Sequence, residues 1–593
     1  MLYWMPLPTV GGAGRAVLVV AVAIGVMVTT ALWSRSSAGL LISRPAVVDV
    51  LPVGMAAFAI WFFAPLLAAQ PGARTLASVL GGFGNDNVAH FSMVEMIRSH
   101  GASGPWWGAS PDGSPFAYDV YPQHFHALVA FVIEALVGVA PADPGTEVAL
   151  FCVGTAIVLG AALIVLVAAI ASVPVLRVRP IHATAAALGV PATLLLGFGA
   201  TALTYGFPSF LLAVIATATA VVLALGRVKE GTVEIAAAGA LAVVVGHSWA
   251  LIAPVAAAAF LVMLASLPRA PVHRHPWRLV PPVLVTVVTT AGAVYAAVLV
   301  WRGTSASGSP QEALETPGGV MAAPPWMSVA VVLVVTVVSA MLVIRRPRSS
   351  RIVLGAGAVP LVAGVAALVV AGTVIGVQLA RVGELSYFQF KLLNGLFLVF
   401  AVLLVVLGAV WSAETFVRYA TAGAEARRRR VLGSWFPFAV VTLVAAAPVV
   451  GSIADIETGT PLDKAIRSGI DFRTAFVASA HQFEPAATRV LAAAAVSGGG
   501  CAQPVLIDDT GDLASLPAAQ WSMALSGTWT TGSAELTREL WGGGLQTPPE
   551  RLPAAVAQAL EADPGVCVVV RPEAIEPVLS AVAEDDRARI LSW

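Results

Sequence analysis

The chain has 593 residues, of which 58% are hydrophobic and only 11% are charged. Soluble proteins carry roughly 25% charged residues, and many apolar runs here reach the ~20 residues needed to cross a bilayer. This composition excludes an ordinary soluble protein and predicts an integral membrane protein. The 33 basic residues balance the 33 acidic ones, so no nucleic-acid partner is expected.

Twelve apolar segments are predicted to span the membrane. They are 16–33, 46–69, 148–172, 181–203, 207–226, 233–246, 249–267, 279–301, 326–344, 352–376, 390–411 and 436–452. A further apolar segment, 121–139, is interpreted as a helix lying in or re-entering the outer leaflet, with a full crossing as the alternative. The prediction is an α-helical polytopic membrane protein with about 11–13 transmembrane helices within residues 1–454.

Basic residues in short connections predict the orientation, because cytoplasmic loops are enriched in lysine and arginine. The basic connections are Arg177/Arg179, Arg227/Lys229, Arg269 to Arg278, Arg345 to Arg351, and Arg418 with Arg427–Arg430. All five fall on one side if the predicted spans are right, and the C-terminal domain then lies outside the cytoplasm. If 121–139 does not cross, the polar loop 70–147 lies outside as well, in a multi-pass protein of the plasma membrane.

The loop 70–147 contains two polar clusters. The first is Asp86-Asn87-Val88-Ala89-His90. Asp86 is predicted to be the N-cap of an amphipathic helix on the membrane surface, with His90 on the same face. A ligand-binding pair is one interpretation. The alternative is that Asp86 only caps the helix while His90 faces water.

The second cluster runs from Asp119 through Tyr121 to His124 and His126. An aromatic ring beside two imidazoles suits a sugar or a phosphate headgroup, and an interfacial aromatic anchor is the alternative. A divalent metal is possible but not favoured, because no closely spaced set of ligands stands out. No metal-binding residue is therefore predicted.

Two later segments contribute further candidates. Gly246-His247-Ser248-Trp249 interrupts an apolar run, so His247 and Trp249 either face the same site as Asp86 or form an ordinary interfacial turn. Lys391 heads an apolar helix on the side poor in positive charge. It either extends its ammonium to the interface or holds a lipid phosphate. The nearby residues Arg381, Glu384 and Tyr387 are included with it as candidate substrate-binding residues.

Residues 455–593 contain most of the acidic residues of the chain and are predicted to form an extracytoplasmic soluble α/β domain. Buried strands are predicted at 504–509 and 567–571. Helices are predicted near 516–526, 534–541, 552–562 and 572–584. Cys501 and Cys567 either form one disulfide in this region or remain unpaired, since pairing cannot be read from spacing.

The layout resembles the GT-C class of membrane glycosyltransferases. The stretch from Asp86-x-x-x-His90-Phe91 to Tyr121-Pro122-x-x-x-His126-Ala127-Leu128 is similar to actinobacterial multi-spanning proteins of this class, some of them related to arabinofuranosyltransferases. The resemblance covers the overall layout and about sixty residues of motif. It implies inverting transfer of a sugar, with arabinofuranose as a candidate, from a polyprenyl-phosphate donor to an extracytoplasmic cell-envelope glycan or lipid-linked acceptor.

The resemblance also implies roles for particular residues. Asp86 matches the catalytic acid position, where a general base deprotonates the acceptor hydroxyl. Lys391 and Arg381 would hold the donor phosphate. Many members carry paired acids at this position, but here Asn87 follows Asp86, so a second acid would have to come from Asp119. That departure puts metal dependence and the subfamily in doubt.

Two other classes of function remain open. The chain has no phosphate-binding glycine loop of the G-x-x-x-x-G-K-[ST] kind, so nucleotide-driven transport lacks its usual motif. A transporter or flippase of a lipid-linked glycan would show paired repeats with broken helices, and 246–249 is the one candidate break. A non-catalytic envelope-assembly protein, with 455–593 as a binding module, is the third possibility.

Overall fold

The computed structural model describes most of the chain between residues 45 and 593. The described residues are 45–82, 86–108, 110, 112–196, 198–226, 232–265, 280–306, 325–344, 354–420, 461–496, 503–541, 547–562 and 565–593. The predicted spans 16–33 and 436–452 lie outside these ranges, as does Cys501.

The part before residue 421 is built from helices. The longer ones are α1 (Leu51–Phe62), α2 (Ala73–Gly82), α3 (Asn87–His100), α4 (His124–Val137), α5 (Pro144–Ser172), α6 (Pro180–Leu194), α7 (Pro208–Leu225), α8 (Thr232–Ser248), α9 (Ala253–Ala265), α10 (Val280–Ala306), α11 (Pro325–Ile344), α12 (Leu354–Val382) and α13 (Tyr387–Ala420). α7 lies at the centre, packed against α4, α5, α8, α9, α12 and α13.

Five helices in the described ranges are long and apolar enough to cross a membrane. They are Pro144–Ser172, Pro208–Leu225, Val283–Arg302, Ala358–Val382 and Tyr387–Glu414. They coincide with the predicted spans 148–172, 207–226, 279–301, 352–376 and 390–411. The prediction of a helical protein with membrane-spanning segments is confirmed at this level.

Other predicted spans are interrupted. The segment 181–203 was predicted as one span, but α6 ends at Leu194, three residues after the internal Pro191, and a separate short helix covers Ala200–Thr204. The break predicted at 246–249 is confirmed, because α8 ends at Ser248 and Trp249 has an extended backbone. The segment 121–139 was predicted to lie in or re-enter the outer leaflet, with a full crossing as the alternative. Its helix α4 has 14 residues and is about 21 Å long, which is shorter than the ~30 Å hydrocarbon core.

The carboxy-terminal region contains a small parallel sheet between helices. In chain order it contains α14 (Pro461–Gln482), α15 (Glu484–Val496), β1 (Gln503–Leu506), α16 (Ser515–Leu525), α17 (Thr531–Trp541), α18 (Leu552–Ala562), β2 (Val566–Val570), α19 (Ile575–Ala581) and β3 (Ile590–Ser592). The strand order is β1-β2-β3, with Val505 opposite Val568 and Val568 opposite Ile590. Both predicted strands are present, and β3 was missed.

The two cysteines in the described ranges differ in whether they form a disulfide. Cys152 is buried in α5 and free, as expected for an apolar packing residue. Cys567 in β2 is disulfide-bonded.

The carboxy-terminal region packs directly on the front of the chain. α2 contacts α14 and α15, and α3 contacts α16, where the rings of Phe91 and Trp521 lie 5.4 Å apart. Every residue of α3 from Asn87 to Arg98 is buried except Ala89. The prediction that α3 lies on the membrane surface with one face in water is therefore wrong, because residues on every side of this helix are buried by protein.

A second contact joins the polar loop to the same region. Residues 112–118 pair with residues 528–532, and this pairing is named the loop bridge. Its backbone hydrogen bonds run from Ala117 N to Trp529 O at 3.0 Å and from Thr531 N to Pro115 O at 2.8 Å. The hydroxyl of Thr530 donates to the Asp112 carboxylate at 2.5 Å. The loop that follows α3 is thus held by residues about 400 positions later.

Candidate functional site

Asp86 stands at the start of α3, as predicted, but its side chain does not cap the helix. Its backbone carbonyl accepts from His90 N at 3.3 Å, while the carboxylate makes no capping bond. Instead Oδ2 accepts a hydrogen bond from the Tyr387 hydroxyl at 3.3 Å, which is long for an O–H···O bond. The carboxylate therefore faces α13, and capping does not explain this residue.

Lys391 lies one turn after Tyr387 in α13 and is only 4% exposed, so its ammonium does not extend to the interface. Nζ donates to the Tyr387 hydroxyl at 2.8 Å and lies 3.6 Å from the ring centroid of Phe207. The ring of Phe210 is farther, at 5.7 Å. These distances permit cation–π attraction. Among the residues that the structure describes, one hydroxyl accepts from the ammonium, which leaves two of its three donors with capacity for an anion.

The Tyr387 hydroxyl connects the acid to the base. Asp86 Oδ2 and Lys391 Nζ are no more than about 6 Å apart, because bonds of 3.3 and 2.8 Å join them end to end. Burial among protein atoms raises the pKa of Asp86, while the positive charge of Lys391 and the bond from Tyr387 oppose that rise. The Asp86 side chain remains accessible to solvent. A carboxylate with a raised pKa and an open face suits proton transfer.

Two histidines form a buried pair beside Asp86. His90 Nδ1 lies 2.7 Å from His126 Nε2, and the rings stack with centroids 5.0 Å apart. One ring of the pair donates this hydrogen bond and the other accepts it, and the His90 ring lies close to the backbone of Gly206. Among the described residues, the buried Nδ1 of His126 has no hydrogen-bond partner. Burial lowers the pKa of His90 to about 3, so it is neutral at pH 7.

Two tyrosines extend the pair. The Tyr121 ring lies 6.2 Å from that of His126, and its side chain hydrogen-bonds to Ser209. Burial raises the pKa of Tyr121 to about 12, which keeps its hydroxyl protonated. Tyr118 has a φ of 67°, an unfavourable conformation for a bulky residue. Gln123 Nε2 donates to the Tyr118 carbonyl at 2.7 Å. The Tyr118 ring packs edge-on against Trp529 in the loop bridge, with centroids 5.3 Å apart.

We name Asp86, His90, His126, Tyr387 and Lys391 the site cluster. The structure thus brings together five of the predicted residues from three parts of the sequence, with Tyr121 packed beside them. Sequence reasoning missed the segment before and within the first turn of α7, which supplies Gly206, Phe207, Ser209 and Phe210. Its signal was present as a glycine followed by aromatic and hydroxyl residues at the end of an apolar span.

Three predicted residues lie at the edge of the site cluster. His124 begins α4 and is close enough to His247 for the imidazoles to interact electrostatically. His247 itself donates to the carbonyl of Gly292 in α10 at 3.0 Å. Trp249 packs edge-on against Phe210 at 5.0 Å. We name the rings of Phe207, Phe210 and Trp249 the aromatic wall, because they lie together beside Lys391. The break at 246–249 therefore contributes to this wall, and His247 anchors α8 to α10.

The remaining candidates do not join the contacts that link Asp86 to Lys391. The carboxylate of Asp119 interacts with the backbone of Val120, so this contact stabilises the local turn and not the site cluster. Arg381 is exposed in the last turn of α12, and Glu384 is exposed on the connection between α12 and α13. Asn87 is buried in the first turn of α3. The expectation that Asp119 supplies a second acid and Arg381 a second cation has no support in the described contacts.

A second buried polar group occupies the other end of α3 and is named the brace cluster. Arg98 Nη1 donates to Glu147 Oε2 at 2.5 Å, and Nη2 donates to the Ala140 carbonyl at 3.2 Å. Ala142 N donates to the other Glu147 oxygen at 2.6 Å. Glu95, close to Glu147, accepts from Ser99 Oγ at 3.1 Å. The cluster ties α3 to the start of α5.

Within the described residues, no three His, Cys, Asp or Glu side chains are grouped as a metal site would require. No protein-family model matches the chain, and no curated protein matches it either. The function must therefore be argued from the site cluster itself.

Proposed function

We propose that the protein is a GT-C-type membrane glycosyltransferase that uses a polyprenyl-phosphate sugar. The sugar, with arabinofuranose as a candidate, would pass with inversion to an extracytoplasmic cell-envelope glycan or lipid-linked acceptor. One observation carries the proposal. A solvent-accessible carboxylate and a buried ammonium with spare donors lie within about 6 Å of each other, joined by Tyr387.

The reaction assigns each group one task. Asp86 takes the proton of the acceptor hydroxyl as that oxygen attacks the anomeric carbon of the donor. The bond between the anomeric carbon and the phosphate oxygen breaks, and its electron pair stays on the phosphate. Lys391 balances the negative charge that develops there. The products are the glycosylated acceptor and the polyprenyl phosphate, with the proton on Asp86.

The position of Tyr387 has a consequence for donor binding. Its hydroxyl lies 2.8 Å from the ammonium, where a phosphate oxygen would bind. A donor phosphate would therefore share or replace this hydroxyl, and the sugar would then lie between the phosphate and Asp86. The neutral His90–His126 pair and the protonated Tyr121 offer hydrogen bonds to sugar hydroxyls without adding charge.

The predicted orientation has a consequence for the brace cluster. Glu147 lies at the first turn of α5, and Arg177 follows the other end of that helix. α5 has 29 residues and is about 43 Å long, so the basic connection at 177–179 is a membrane thickness away from Glu147. If that connection is cytoplasmic, the brace cluster lies towards the outer side of the membrane.

The test uses the full chain in lipid nanodiscs with a panel of labelled polyprenyl-phosphate sugars and an oligosaccharide acceptor. Asp86→Asn keeps the shape of the side chain but removes the base, so kcat should fall by about 10²–10⁴-fold. The exposed Asp585→Asn is the matched control and should retain wild-type turnover. Full activity of a folded Asp86→Asn variant would rule out this mechanism.

The broken helix at 247–249 favours a second candidate, a flippase of a lipid-linked glycan, because transporters place binding sites at such breaks. The same nanodisc protein in sealed vesicles separates the two. Movement of the labelled lipid across the bilayer, with no new glycosidic product, would support transport. Product formation without such movement supports transfer.

A further inference from the structure

Asn394 is a buried amide that the mechanism above does not use. It lies three residues after Lys391 in α13, which places both side chains on the same face of the helix. The spacing puts Asn394 about 4.5 Å farther along the helix axis, on the side away from Tyr387. It is fully buried, and neither its Oδ1 nor its Nδ2 has a hydrogen-bond partner.

The surroundings of Asn394 connect it with the site. A β-carbon on the adjacent Gly395 would lie 3.0 Å from the Phe210 ring and 3.4 Å from that of Trp249. Phe210 is one of the rings beside the Lys391 ammonium. The same aromatic wall therefore borders both Lys391 and this part of α13.

Gln389 shows how a buried amide in the same helix is used when it has a structural role. It is also fully buried, but its Oε1 accepts from the backbone N of Ser386 at 3.1 Å, which fastens the turn before α13. Asn394 does not make any such bond. An unpaired amide inside an apolar helix is unfavourable, and polar groups at such depth usually serve a ligand.

We propose that Asn394 is a second contact for the phosphate of the lipid carrier, on the inner side of Lys391. Its Nδ2 donates to a phosphate oxygen that Lys391 does not reach. The ligand class is a phosphate ester with an apolar chain. This inference rests on the proposed function, because that function places the phosphate at Lys391.

Binding is measured with farnesyl phosphate, inorganic phosphate and farnesol on the full chain in phosphatidylcholine nanodiscs. The wild-type protein should bind farnesyl phosphate more tightly than either fragment. Asn394→Leu, which keeps the volume, should weaken that binding on the order of tenfold, through loss of hydrogen bonds to a charged group. Asn394→Asp should weaken it further, because a carboxylate repels phosphate.

The melting temperature of each variant without ligand provides a readout that does not depend on binding. If Asn394 serves a ligand, Asn394→Leu removes an unpaired buried amide and should melt at the same temperature as the wild type or higher. Thr155→Val is the matched control, since Thr155 in α5 is fully buried with an unpaired hydroxyl. It should bind farnesyl phosphate as the wild type does.

Several results would overturn the inference. They are wild-type affinity in Asn394→Leu, a lower melting temperature for that variant, or no farnesyl phosphate binding to the wild type. Equal binding of inorganic phosphate would make free phosphate the ligand and overturn the lipid assignment. If farnesyl phosphate binding depends on Asn394 as expected but no sugar is transferred, this inference stands and the proposed function fails.

Discussion

The two polar clusters on α3 differ in how completely their hydrogen bonds are satisfied. In the brace cluster, Arg98 and Glu147 bond to each other and to backbone groups of the loop between α4 and α5. In the site cluster, the Lys391 ammonium has one acceptor and His126 Nδ1 has none. Among the described residues, Arg98 Nε is the one brace-cluster donor left without a partner. Buried charges that are paired with each other hold a fold, whereas a buried ammonium with spare donors is suited to a ligand.

The largest effect on stability is expected in the brace cluster. Arg98→Met should lower the free energy of unfolding by about 3–5 kcal/mol, because it leaves the buried Glu147 carboxylate without its cation. Thermal unfolding in nanodiscs measures the change. Arg587→Met, on an exposed arginine, should change stability little. Comparable losses in both variants would mean that the brace cluster does not have a special role in the fold.

Acid should destabilise the protein through the site cluster. Burial lowers the pKa of His90 from 6.5 to about 3, so below pH 6.5 the unfolded chain binds a proton that the folded chain does not. The stability that His90 contributes is present above pH 6.5 and is lost as the pH falls towards 3, by up to about 1.4 kcal/mol per pH unit. His90→Gln should flatten the fall in melting temperature between pH 6.5 and 5. An unchanged slope would contradict this.

Glu95 should act in the opposite direction. Burial and the nearby Glu147 charge raise the pKa of Glu95 to about 7, so its stabilising contribution is present below pH 4.5 and lost as the pH rises through 7. At pH 8, Glu95→Gln should stabilise the protein by on the order of 1–2 kcal/mol, since it removes a buried like charge. The melting temperatures of variant and wild type should converge near pH 4.5. A constant difference across this range would argue against proton linkage.

The smallest stability change is expected for Tyr387→Phe. The hydroxyl joins Asp86 to Lys391, but one of its two bonds is long, so its removal should cost less than about 1 kcal/mol. Binding of farnesyl phosphate should persist, because the ligand replaces this hydroxyl on Lys391. A loss of stability as large as that of Arg98→Met would place Tyr387 among the residues that hold the fold.

Much of the fold was predictable because each element depends on local patterns. Uniformly apolar runs identified α5, α7 and α13, and β-branched runs identified β1 and β2. The error over α3 came from contacts distant in sequence. Val88, Phe91, Val94 and Ile97 indicated one apolar face, but the polar residues of α3 are buried as well. Phe91 packs against Trp521 in α16, and no pattern within α3 reveals a partner more than 400 residues away.

The site residues, like the elements of the fold, were predictable only where a local pattern identified them. Asp86, His90, His126 and Lys391 were identified because charged or polar residues are rare beside apolar spans. Phe207 was missed, since an aromatic residue at the end of a span is ordinary until an ammonium is found above its ring. Arg381 was included because it is close to Lys391 in sequence. It lies in the last turn of α12, before the start of α13, the helix that buries Lys391.

The loop bridge has a consequence for how the protein matures. Residues 112–118 form hydrogen bonds with residues 528–532. During synthesis, these bonds cannot form until some 400 further residues have been made. Tyr118, whose backbone conformation is unfavourable, packs its ring against Trp529 in the same bridge. A nascent chain halted before that point would carry all the helices of the membrane part and yet have an unfinished site. The order of synthesis therefore delays completion of the loop bridge until residues 528–532 have been made.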